Sequence, residues 1–166
     1  TNFIISNPVL VTDGQSLFVS SDFDRRLNVW TEIPDESGAH PDYAYELPEP
    51  PWDAALHDGR LALAGGKGVY IWFSLPLQGE LPDLIIHDRI GSVEFKRLTG
   101  VAMDERYFYL LDGEASRLYV WEGIPDEQTD PLYVITVPAQ GSRLFSDGRR
   151  LVLTASTNQE SPINIY

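Results

Sequence analysis

The side chains that could do chemistry here are three histidines, several carboxylate pairs and a few isolated cations. His40, His57 and His87 lie 17 and 30 residues apart, without the close spacing by which two imidazoles reach one zinc ion. His57 stands directly before Asp58 and reads as a hydrogen-bonding residue of a turn. A serine nucleophile on a sharp elbow would need Gly-x-Ser-x-Gly, and no such stretch exists. Cysteine is absent, which removes disulfides, thiolate metal sites and a thiol nucleophile together. The run Gly65-Gly66-Lys67-Gly68 lacks a phosphate-cradle pattern and reads as a turn between strands.

The acidic pairs are Asp22 with Asp24, Asp35 with Glu36, Asp112 with Glu114, and Asp126 with Glu127. Calcium takes about six to eight oxygen ligands. Arg25 and Arg26 neutralise the first pair, so Asp126-Glu127-Gln128-Thr129-Asp130 is the better Ca²⁺ candidate, against a plain solvated loop. No cofactor is expected, with Ca²⁺ at that loop as the alternative. The net charge of −13 repels phosphate backbones and anionic lipid surfaces, which excludes nucleic acid as the expected partner. No run reaches the length of a membrane helix, so membrane insertion is not expected. At 166 residues, 43% apolar and 22% charged, the composition is that of one globular domain.

Those residues are carried by a repeat. Asp13, Asp58, Asp104 and Asp147 open turns at intervals of 43 to 46 residues. An aromatic closes an alternating apolar run 14 to 19 residues after each: Trp30, Trp72, Trp121 and Tyr166. Arg26-Leu27-Asn28-Val29-Trp30 and Arg117-Leu118-Tyr119-Val120-Trp121 are the clearest copies, each followed by Ile-Pro. Every unit reads as four short strands, in the third unit Leu98 to Met103, Tyr107 to Leu111, Leu118 to Trp121 and Pro131 to Val137. Four-stranded antiparallel units at this period predict an all-β chain, a β-propeller of four blades. The expected blades are approximately 8–47, 48–88, 98–138, and 139–166 plus 1–7. The fourth unit ends one strand short, and Phe3–Ser6 is the expected outer strand that completes it. Three closures are compatible with the pattern: a ring of four blades, a ring shared with a second copy, or part of a longer chain.

The repeated phrase resembles that of the NHL-like bacterial β-propellers. Gly100-Val101-Ala102-Met103-Asp104 matches that family's blade opening, and Pro41-Asp42-Tyr43 and Pro82-Asp83-Leu84 stand where it has an outer strand. The likeness is strong in the first and third units; the second lacks the Arg, and the fourth has Pro162 in its place. Trp30, Trp72 and Trp121 are followed by Thr, Phe and Glu, which departs from the WD repeat. The resemblance implies a propeller serving as a binding or assembly platform, and an extracytoplasmic location.

The innermost strands would line a central channel. Four residues before each turn stand Val9, Ala54, Gly100 and Arg143, and one step earlier Pro8, Asp53, Thr99 and Ser142. An inward Arg143 needs water or a counter-charge, and Asp53 is the expected partner across the axis. Lys96 and Arg97 form a compact basic spot on the same approach. The expected function is a non-catalytic interaction or scaffold module that binds a protein or peptide and self-associates. The alternative is an enzyme or small-ligand binder using the channel, with Arg143, Asp53 and His57 near its mouth.

Overall fold

In the computed structural model, residues 8–21, 25–75, 80–137, 141–155 and 163–165 are described, the side chains of 141, 142, 155 and 163–165 excepted. Three four-stranded antiparallel sheets follow in chain order. The first blade is β1 (Pro8–Thr12), β2 (Leu17–Ser21), β3 (Arg26–Trp30) and β4 (Tyr43–Glu46). The second is β5 (Asp53–His57), β6 (Arg60–Gly65), β7 (Gly68–Trp72) and β8 (Leu84–His87). A small hairpin, β9 (Arg89–Ile90) with β10 (Val93–Glu94), lies in the link that follows, where no strand was expected. The third blade is β11 (Leu98–Met103), β12 (Tyr107–Asp112), β13 (Arg117–Glu122) and β14 (Tyr133–Thr136). The fourth has three described strands, β15 (Gly141–Ser146), β16 (Leu151–Ala155) and β17 (Ile163–Ile165). Phe3–Ser6, the expected fourth strand, and Tyr166 lie outside the described residues. The described residues contain no helix, hence none long and apolar enough to cross a membrane.

Strand alternation decides how the blades stack. In each third strand, Leu27 and Val29, Val69 and Ile71, or Leu118 and Val120 face the following blade. The intervening Tyr70 and Trp72, or Tyr119 and Trp121, face the preceding one. Both faces are therefore apolar and buried, as stacked blades require. The Trp72 and Trp121 indoles satisfy their polar atoms by donating to the carbonyls of Glu80 (3.0 Å) and Thr129 (2.9 Å).

The turn aspartates have a mechanical role. Asp13 Oδ1 accepts the N–H groups of Gln15 and Ser16, Asp104 those of Arg106 and Tyr107, and Asp147 those of Arg149 and Arg150. Each carboxylate closes its own turn. The second blade departs from this: Asp58 and Gly59, both at positive φ, make a two-residue hairpin between the paired His57 and Arg60. Its strand β5 is thereby displaced by one residue from the sequence alignment. By register, Asp53, and not Ala54, is the equivalent of Val9, Gly100 and Arg143.

Candidate functional site: an axial cavity and two blade faces

The inner strands β1, β5, β11 and β15 surround an axial cavity of about 460 Å³. Asp53 and Arg143 are its ionisable lining residues; Leu10, Met103 and Phe145 are among the apolar ones. Asp53 is buried, and its Oδ2 accepts the backbone N–H groups of Val101 and Leu144, both at 3.1 Å. One carboxylate from the second blade thus holds the inner strands of the third and fourth. Burial pushes its pKa up to about 6 from 3.8, against the opposing pull of the Leu144 and Val101 amides and the Arg143 charge.

Arg143 shares the cavity with Asp53 but is not its ion-pair partner among the described residues. Its guanidinium is exposed, and Nη2 donates to the Pro8 carbonyl at 3.3 Å, across the gap between the fourth and first blades. The expected Asp53–Arg143 pair is therefore replaced by two separate backbone attachments. The reason is geometric: Asp53 projects toward the amides of the next blades, and Arg143 projects from a face that no described blade covers.

The other expected site residues do not join them. His57 ends β5 at its turn, and Lys96 and Arg97 lie in the link before β11; none of the three lines the cavity. The Lys96 and Arg97 backbone N–H groups donate to the buried Asp112 carboxylate, and the Arg97 guanidinium sits 5.7 Å above the Trp52 ring. Asp126 accepts from Gln128 N–H and Thr129 Oγ1, and Asp130 from Ser92 N–H, so both carboxylates hold their loop. Among the described residues no group of three His, Asp or Glu side chains is placed to bind a metal ion.

What sequence reasoning missed is the state of the two end faces. By register, Leu10 is equivalent to Val101 and Leu144, which are buried; Leu10 is 56% exposed. Phe145 is equivalent to the buried Ala55 and Ala102, and is 64% exposed. Trp30 is equivalent to Trp72 and Trp121, yet its buried Nε1 finds no acceptor among the described residues. The signal was present only as position: these three residues lie in the first and last units of the series.

No family model and no curated protein matches the chain. Solved structures do match it. Glutaminyl cyclase of Myxococcus xanthus superposes with a TM-score of 0.63 at 13% identity, over 95% of this chain and 72% of its own. Hydrazine synthase of Kuenenia stuttgartiensis gives 0.67 at 13% identity, over 99% and 47%. The β-propeller domain of Cps50 (Swd1) from Myceliophteria thermophila gives 0.60 at 18%, over 96% and 53%. The fold is that of a β-propeller. The chain spans about half the length of the last two of these proteins and 72% of the first. At these identities the likeness extends to the fold alone.

Proposed function

We propose that this β-propeller, of the NHL-like repeat type, is a non-catalytic interaction module that binds a protein or peptide partner and self-associates through its end blades. The observation that carries the reading is the uncovered pair of faces, marked by Leu10 and Phe145. Every internal seam packs a following-side face on a preceding-side face, and the two end faces are one of each kind. Two copies placed head to tail would cover both, at the expense of the hydrogen bond from Arg143 to Pro8 within each chain. Membership of protein complexes among similar folds, such as the Chaetomium thermophilum polycomb repressive complex 2, is in keeping with this.

Sedimentation equilibrium at micromolar concentration tests it. A mass of twice 18.7 kDa is expected, and a folded species of 18.7 kDa alone would overturn self-association. A second reading, a small-ligand binder at the axial cavity, is favoured by one observation: Asp53 and Arg143 line the same space. Small carboxylates that raise the melting temperature of the natural chain, and not of Arg143→Ala, would establish it.

A further inference from the structure

Asp-Gly occurs four times in the chain, as Asp13-Gly14, Asp58-Gly59, Asp112-Gly113 and Asp147-Gly148. This dipeptide is prone to intramolecular condensation, because without a Cβ on the glycine its amide nitrogen can reach the γ-carbon of the preceding aspartate. The reaction needs two free groups. One is a carboxyl able to turn toward the main chain, and the other an amide nitrogen not committed to an acceptor. The fold treats the four sites differently.

At three of them both groups are fastened. Asp13 Oδ1 accepts the N–H groups of Gln15 and Ser16, while Gly14 N–H donates to Thr12 Oγ1 at 3.0 Å. Asp147 Oδ1 accepts those of Arg149 and Arg150, while Gly148 N–H donates to Ser146 Oγ at 3.2 Å. Asp112 is buried and its carboxylate accepts the N–H groups of Lys96, Arg97 and Ala115. Gly113 N–H donates to the Arg97 carbonyl at 3.0 Å. Asp58 and Gly59 carry neither restraint. The Asp58 side chain is 80% exposed, and among the described residues its one polar contact is the Arg60 guanidinium at 3.3 Å, a pair that solvent screens. Gly59 N–H has no acceptor among the described residues. Both residues are exposed at the tip of the hairpin.

We propose that Asp58 is a site of spontaneous isomerisation to isoaspartate, selected by the fold from four identical dipeptides. The Gly59 amide nitrogen attacks the Asp58 γ-carbon. The nitrogen gives up its proton and the carboxyl its hydroxyl, so that water leaves and a succinimide ring closes. Addition of water then breaks a ring C–N bond. Opening at the γ-carbon restores aspartate, whereas opening at the α-carbonyl leaves the chain linked through the side-chain carboxyl. Water is the only co-reactant, and the mass of the chain is unchanged. The isoaspartyl form runs the main chain through Cβ, adding a backbone atom to the two-residue turn between the paired His57 and Arg60. That turn sets the register of β5 and with it the place of Asp53, so the change acts on a strand that lines the axial cavity.

The full chain, aged at neutral pH and physiological temperature, is the sample. After digestion, electron-transfer fragmentation in a mass spectrometer distinguishes an isoaspartyl from an aspartyl backbone at each of the four sites. In the folded chain most of the isoaspartate is expected at Asp58. A second sample aged in urea should show the four sites reacting at similar rates, since only the shared dipeptide then matters. Isoaspartate at Asp58 no higher than at Asp13, Asp112 and Asp147 in the folded chain overturns the proposal. So does a preference for Asp58 that persists in urea, which would belong to the flanking sequence and not to the fold.

Discussion

Asp53 concentrates most of what a single residue decides in this protein. Its carboxylate is buried, holds two backbone N–H groups of other blades, and has a pKa raised to about 6. A raised folded-state value means that the protonated form stabilises the fold fully below the unfolded value of 3.8. That contribution is lost as pH rises through about 6. The shift corresponds to about 3 kcal/mol at ~1.4 kcal/mol per unit. Asp53→Asn keeps an oxygen for both N–H groups and cannot ionise. Its melting temperature should therefore vary less between about pH 4 and 6.5 than that of the natural chain. Asp53→Ala should instead lose about 2–5 kcal/mol in urea unfolding, because two buried donors are orphaned. The tryptophans give a second contrast at this scale. Trp121→Phe discards the bond to Thr129, whereas Trp30→Phe discards a donor with no described acceptor. Urea unfolding should show the first costing about 1–2 kcal/mol more than the second.

At the scale of the elements, turns set the register that places those residues. The two-residue Asp58-Gly59 hairpin shifts β5 by one position and so brings Asp53 into the row of Arg143. Glycine is also required where backbones meet. A Cβ on Gly65 would stand 2.2 Å from the Pro50 carbonyl oxygen and 2.7 Å from Pro51 Cα. Neither atom can swing aside, so Gly65→Ala should destabilise by about 1–3 kcal/mol, read as a lowered urea midpoint. Asp104 links elements in another way. Its Oδ1 closes the β11–β12 turn while Oδ2 accepts Tyr109 Oη and Ser146 Oγ, both at 2.9 Å, the latter from the fourth blade. Burial raises its pKa, but the bonds from Arg106, Tyr107, Tyr109 and Ser146 together outweigh that and leave it lowered.

For the molecule as a whole, the open faces at the two ends matter most. Phe145→Glu places a charge where a second copy would have to bury it, at a position already exposed in the single chain. The variant should keep the natural chain's β-sheet circular dichroism, sediment at 18.7 kDa and lose the concentration dependence of the melting temperature that association confers. Retention of the doubled mass would assign association to another surface.

Much of this architecture was legible in the chain itself. The 43- to 46-residue beat and the alternating runs ending at Trp30, Trp72 and Trp121 determined the strands, their order and the all-β fold. Local pattern suffices there because a strand's period and a turn's residues are short-range properties. The partners of Asp53 and Arg143 were not legible, since they are backbone groups of Val101, Leu144 and Pro8, as many as 135 residues away. Nor could composition separate Ile135 from Tyr45 and Ile86, three apolar residues in equivalent strands. Only stacking decides which of them is covered, because burial belongs to the neighbour that a face meets and not to the side chain that presents it.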